Sequence, residues 1–351
     1  MTTACNAEPR NGSTPAAPPG APVLYSTCPP YRGGESEAYA SQVRDVARWS
    51  EEGGCEGILV YTDNGLLDPW LVAQIVVQST RRLIPLVAVQ PVYMHPFTVA
   101  KMVSTLSLVH RRRIDLNIVA GGFKNDLLAL DDRTPHERRY ARLTEYTAII
   151  RALLEGGPVT FKGEFYSVTN LSLQPALDPG LMPRFLLSGS SAEGLAAART
   201  LGALTVRYPE PAGGIEPLAR DEEPFGIRVG IIGREDECEA WTIALRRFPE
   251  DRRGQVTHQL AMKVSDSAWH RQLSAIAPAL APESAYWMVP FQNYKTFCPY
   301  LVGSYTRVGE EIARYLAAGC RTIILDVPAA ADEMHHIRAS VAAAGKLLAS
   351  R

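Results

Sequence analysis

The sequence predicts a (β/α)8 barrel, and three observations carry that expectation. Eight short apolar runs recur between Val23 and Asp326, alternating with stretches of helical spacing. The runs are apolar nearly throughout rather than at every second residue, the pattern of a parallel sheet covered on both faces. No G-x-G-x-x-G fingerprint follows the first run, which disfavours the runner-up, a doubly wound open sheet.

Residues 1–22 are rich in Pro, Ala and polar types without periodicity, so they read as a disordered tail. A single barrel domain then spans 23–351. Val23 to Thr27 is its first strand. Ala40, Val43, Val46 and Ala47 give the following helix one apolar face, and Gly53-Gly54 closes it. Gly57 to Tyr61 and Ile84 to Val89 are the next strands, with helices over Pro69 to Gln78 and about Phe97 to His110. Ile114 to Val119 is the fourth strand, ahead of Gly121-Gly122. Thr134-Pro135-His136-Glu137 then opens a helix to about Leu154, with Thr as N-cap, Pro first and Glu third.

A hairpin from Val159 to Val168 turns through Lys162-Gly163. Phe185-Leu186-Leu187, Ala203 to Val206 and Phe225 to Ile232 are three more strands, and a helix covers Asp236 to Arg247. From about 249 to 300 the alternation lapses. This segment holds a helix near Ala268 to Ile276, then Tyr286, Trp287, Phe291, Tyr294, Phe297 and Tyr300 among prolines. So long an interruption reads as an insertion forming a lid near the C-terminal face of the barrel. Ser304 caps a helix to about Ala318, Thr322 to Asp326 is the last strand, and a final helix ends near Leu348.

Composition narrows the function. The apolar fraction of 46% supports an ample core, and the net charge of -1 gives no reason to expect nucleic acid or an anionic membrane surface. Arg111-Arg112-Arg113 reads as a solvated helix end. No apolar run approaches a membrane span of about 18 residues, and the six cysteines form no CxxC pair, so reduced thiols in a cytoplasm are expected.

The stretch Phe185 to Ala196 organises the rest. An apolar strand ends in Ser188-Gly189-Ser190-Ser191, and an Ala-rich helix follows. Ser190 and Glu193 have capping-box spacing, which places the free amides of a helix start beside hydroxyls, an anion site suited to a phosphate. The alternative is an ordinary capped helix. The other strand-end loops, including Thr62 to Gly65, Gln90 to Pro96, Arg207 to Glu210 and Asp326 to Pro328, contain no HExxH, P-loop or GxSxG. They are short of acids and bases but rich in amides and aromatics, which suits a flat cofactor that carries the chemistry itself.

With these residues in view, the chain resembles the bacterial luciferase-like flavin-dependent monooxygenases, nearest the alkanesulfonate monooxygenase branch. The resemblance spans Val23 to Leu348. It is carried by Ser188-Gly189-Ser190-Ser191, by His136-x-x-x-Tyr140 and by Leu301-Val302-Gly303-Ser304. It implies a barrel binding reduced flavin mononucleotide (FMN), with O2 as co-substrate and a homodimeric or homotetrameric assembly. It places the FMN phosphate on Gly189, Ser190, Ser191 and Tyr140 with His136 nearby, and brings Thr62, Gln90 and Asn117 to the isoalloxazine ring.

Three departures bear on the substrate. Leu66 stands where that branch carries a cysteine, and Val327 where it carries a tyrosine. Arg228-Val229-Gly230 keeps the arginine of an Arg-x-His pattern and loses the histidine. A sulfonate calls for donors and cations around it, so the expected substrate is a small organic molecule other than a simple alkanesulfonate. His95 and Arg228 are the candidates for proton transfer and for holding a substrate oxygen. A separate reductase would supply reduced FMN, since no nicotinamide fingerprint is present. A deazaflavin-dependent oxidoreductase and a non-catalytic flavin-binding barrel are the competing readings.

Overall fold

Apolar runs of this kind are buried on both sides only if helices cover both faces of the sheet they form, or one face when the sheet closes on itself. The computed structural model describes residues 21–350 apart from 32, 34, 122, 123, 190, 212–222 and 265–283. The expected tail, Ser190 and the helix near Ala268 to Ile276 therefore lie wholly or almost wholly outside the described residues.

The described strands are β1 (Val23–Thr27), β2 (Gly57–Val60), β3 (Ile84–Val89), β4 (Asp115–Ile118), β5 (Val159–Lys162) and β6 (Ser167–Leu171), then β7 (Phe185–Ser188), β8 (Leu204–Arg207), β9 (Phe225–Arg234), β10 (Tyr286–Trp287), β11 (Tyr300–Ser304) and β12 (Cys320–Leu325). Parallel pairing runs β1-β2-β3-β4-β7-β8-β9-β12 and returns from β12 to β1, so these strands form a closed (β/α)8 barrel. They are the eight runs that the sequence singles out. Tyr25, Leu59, Leu86, Leu186, Val206 and Ile324, one from each of six strands, form their own buried cluster and fill the interior. A larger apolar layer joins the strands to helices such as Pro69–Ser79, His136–Glu155 and Tyr305–Ala317. The hairpin β5–β6 is antiparallel, as expected.

β9 serves two sheets. Its first half, Phe225 to Val229, closes the barrel between β8 and β12. Its second half, Gly230 to Arg234, leaves the barrel and pairs in parallel with β11, which carries β10 antiparallel on its far side. The Leu301 to Ser304 motif is thus a strand that the sequence reading passes over, while Ser304 does cap the next helix, accepting from the Arg307 N–H at 3.3 Å.

One local expectation is corrected and two are narrowed. Thr134 is not an N-cap. The helix spans His136–Glu155 behind Pro135, and the Thr134 hydroxyl donates to Asp132 at 2.7 Å, because that carboxylate is also held by Arg142. The arginine cluster is solvated only in part: Arg111, the C-cap of the helix Pro96–His110, is exposed as expected, but its neighbours are not. Arg112 is buried and donates to the Leu83 and Thr80 carbonyls, while Arg113 meets the buried Asp115 at 2.9 Å. The aromatics from Tyr286 to Tyr300, expected together as a lid, sit in different surroundings. Trp287 and Phe291 are buried, Trp287 against Trp241 and Phe248, and Phe291 against His258.

Cys28, Cys55, Cys298 and Cys320 are buried free thiols and Cys238 an exposed one. Among the described residues no helix is long and apolar enough to cross a membrane.

Candidate functional site

Parallel strands in a closed barrel end at one mouth, so the loops after them meet there. A cavity of about 1220 Å³ occupies that mouth, and each of the eight barrel strands, or the loop directly after it, contributes to its wall. It exceeds the roughly 300–1,000 Å³ that holds a single small ligand. Thr62, Gln90, Asn117, His136, Tyr140, Gly189, Ser191 and Arg228 all line it.

One side of the wall is a cradle. Ser191, not Ser190, caps the helix Ala192–Leu201, its Oγ accepting from the Gly194 N–H at 3.1 Å. This bond starts the helix one residue later than the Ser190–Glu193 spacing suggests and sets Ser191 in the cavity wall. Gly189 has a φ of +155°, and a Cβ there would lie 3.0 Å from the Tyr140 hydroxyl oxygen. A Cβ on Gly194 would crowd the same phenol at 3.2 Å. Tyr140 can therefore reach over the strand end only because both positions are glycine. His136 sits one turn earlier, its ring 6.0 Å from that of Tyr140.

Beside the cradle, the buried Asn117 accepts from the Ser188 hydroxyl through Oδ1 at 2.9 Å, which turns its amide donors away from that contact. Gln90 is also buried, with its Oε1 close against Gly121. Thr62 follows β2 and Leu66 lies farther along the same loop.

The opposite side is chemically different. Arg228 on β9 is 6% exposed, and only its Nη1 has a polar partner, donating to the Tyr208 hydroxyl at 3.3 Å. The guanidinium lies 4.7 Å from the centre of the Tyr61 ring, and its Nε and Nη2 have no hydrogen-bond partner. Next to it, the Tyr300 hydroxyl donates to Asp326 Oδ2 at 2.7 Å. Burial first, and then the Asp326 charge, hold the Tyr300 phenol well above its usual range, so it remains a donor. Desolvation also raises Tyr208, although part of its surface faces the cavity. Arg247 completes this side, anchored at 2.9 Å to the buried Glu333, which also binds Arg234.

Gly230 explains the missing histidine. A Cβ there would lie 2.3–2.4 Å from the Tyr300 ring. The buried tyrosine thus occupies the space that a side chain at 230 would enter, and presents its hydroxyl to Asp326.

His95 is not part of this wall. Its Nδ1 accepts from the Phe97 N–H at 3.2 Å, capping the helix Pro96–His110, and its side chain is exposed. Tyr300 and Arg247 are among the cavity residues to which sequence reasoning gave no role there, as are Tyr208 and Asp326. The glycine at 230 was the available signal for Tyr300, and no local pattern marks Arg247. Tyr294 and Phe297, both half-buried, are the aromatics of the 286–300 segment that face the cavity, along with Tyr300.

The sequence matches the family of luciferase-like monooxygenases over residues 23–322. It is 34% identical over 301 residues to a 4-(γ-L-glutamylamino)butanoyl-[acyl-carrier protein] monooxygenase of Niallia circulans, covering 83% of this chain and 87% of that relative. The fold is similar to a long-chain alkane monooxygenase, at 15% identity and a TM-score of 0.70 over 93% of this chain and 92% of the other. It is also similar to an F420-dependent secondary alcohol dehydrogenase, at 14% identity and a TM-score of 0.65 over 92% and 99%.

Proposed function

The chain belongs to the luciferase-like monooxygenase family, and from that premise we propose that it is the oxygenating component of a two-component system using reduced FMN, O2 and an organic substrate. The cradle at Gly189, Ser191 and Tyr140 carries this reading. It offers a helix start, two hydroxyls and a backbone stripped of side chains, a donor set suited to a phosphate monoester. Ser190 is part of the same proposed cradle.

When bound, reduced FMN supplies the electrons that activate O2 for transfer of one oxygen atom to the substrate. The protein's part is positional. Ser191 and Tyr140 hold the phosphate with His136 beside them, and Thr62, Gln90 and Asn117 orient the ring system along β2, β3 and β4. Tyr294 and Phe297 cover the mouth against water, the role the lid was expected to play. A separate flavin reductase and a homo-oligomeric state belong to the same proposal.

The substrate is not a simple alkanesulfonate in this reading. Leu66 and Val327 present apolar surface to the cavity, and Tyr300 fills the space beside Gly230. The relative from Niallia circulans acts, by its name, on a γ-glutamyl-bearing acyl group attached to a carrier protein. We propose a substrate of that kind, an acyl group with a polar end.

The test is differential binding. Ser191→Ala combined with Tyr140→Phe should weaken reduced FMN far more than reduced riboflavin, by about 1.5–3 kcal/mol for each bond lost to the phosphate. Anaerobic titration followed by flavin fluorescence reads both ligands. The Ser191 change also removes a helix cap worth about 1 kcal/mol of stability, so melting curves must accompany the titration. Equal weakening of both flavins would move the phosphate elsewhere, and preferential retention of a reduced deazaflavin by the unaltered protein would overturn FMN as the cofactor.

A further inference from the structure

Divided by strand, the cavity wall has two halves of opposite character. The half formed by the ends of β2, β3, β4 and β7 offers hydroxyls, amides and glycines, and it is where the flavin is placed above. The half formed by β9 and by the loops after β8 and β12 offers Tyr208, Arg228 and Asp326, together with Arg247, whose charge is paired with Glu333. In the parallel register of β9 and β12, Arg228 is level with Ile324, and Asp326 lies two residues farther toward the mouth on the same face of its strand. The two charged groups are therefore near neighbours on adjacent strands, yet no ion pair within 4.0 Å joins them among the described residues.

Each is left incomplete. Arg228 is more than nine-tenths buried with two donor nitrogens unsatisfied, an arrangement that is costly unless a ligand completes it. Its Nε and Nη2 are closed off from the cavity in this arrangement, and once the guanidinium turns toward the cavity their two adjacent N–H directions match the two oxygens of a carboxylate. Asp326 has one oxygen committed to the Tyr300 hydroxyl, which leaves the other for a donor from the cavity. Tyr61 and Tyr208 meet the guanidinium at its face and one edge. Tyr300, seated in the space at Gly230, fixes the carboxylate of Asp326.

We propose that this half of the wall binds a substrate head group carrying both a carboxylate and an ammonium, the carboxylate on Arg228 and the ammonium on Asp326. The substrate class is an amino acid or an acyl chain ending in one. The proposal rests on the placement of the flavin along the opposite half, so that the substrate lies between the charged pair and the ring.

Binding of L-glutamate and of glutarate, which lacks the ammonium, tests it by ligand-observed NMR, with and without oxidised FMN. The unaltered protein should bind glutamate at least tenfold more tightly than glutarate. Arg228→Gln should weaken both acids tenfold or more, and Arg228→Lys should do so less. Asp326→Asn should weaken glutamate alone. Glutarate binding as tightly as glutamate, glutamate binding indifferent to Asp326→Asn, or no glutamate binding at millimolar concentration would each overturn the proposal. So would Arg228→Gln weakening FMN instead of glutamate, since the guanidinium would then belong to the cofactor. Oxygen uptake with reduced FMN is measured separately. Its failure would sink the flavin reading while leaving head-group binding to be judged on the NMR result.

Discussion

Replacing Trp287 and Phe291 together by alanine will unfold the protein around β10 and β11. Both rings are buried, in two different places: Trp287 in the cluster outside the barrel with Tyr300 and Val302, and Phe291 beside His258. Truncating a buried aromatic costs about 3–5 kcal/mol, so the pair removes much of a typical stability of about 5–15 kcal/mol. Denaturant titration followed by circular dichroism should show the loss, or a separate early transition for this region. Tyr294→Ala with Phe297→Ala should behave differently, because these rings are only half-buried and face the cavity. That variant should keep its fold and its flavin affinity while releasing more hydrogen peroxide per O2 consumed. A well-folded Trp287/Phe291 variant with increased peroxide release would show that those two rings act as a cover after all.

Gly230→His, the change that would restore the branch's histidine, should be among the most damaging single substitutions in the chain. Its Cβ would lie 2.3–2.4 Å from ring atoms of a tyrosine that is itself buried. Overpacking typically costs about 1–3 kcal/mol, and here the imidazole must also displace the Tyr300–Asp326 hydrogen bond. A thermal melt should fall by several degrees or show no cooperative transition. The paired change Gly230→His with Tyr300→Gly should recover part of that loss, because it empties the occupied space. If the single variant melts like the unaltered protein, Tyr300 has another place to go and does not define this wall.

The barrel was legible because burial on both faces leaves a mark on every strand residue. The eight barrel strands are mostly apolar along their length, interrupted by few polar residues such as Asp115, Asn117 and Arg228, and no tertiary information is needed to see the pattern. The cradle at Gly189 and Ser191 was legible for a related reason, since a helix start and a bare backbone are local properties. Local reading erred where a side chain answers to distant groups. Thr134 has the identity of a cap but turns to Asp132 and Arg142, and Arg112 looks solvated until the Leu83 carbonyl comes within 2.7 Å. His95 lies outside the cavity wall, its Nδ1 accepting from the Phe97 N–H two residues on. Tyr300 is hardest to see, because its meaning depends on an absent side chain seventy positions earlier.

Closure of the barrel sets an order on its making. β1 is bonded on one side to β2 and on the other to β12, with Val23 opposite Thr322. During synthesis the first strand is therefore finished some three hundred residues before its second neighbour exists. Until then β1 and the barrel half of β9 each present an unpaired, apolar edge, the kind of surface that joins strands from other chains. Both edges vanish in one event when β12 arrives. A chain cut short before Cys320 should accumulate in aggregates, or on chaperones that bind extended apolar segments, and a soluble, cooperatively folded product of that length would show that the barrel can close without its last strand.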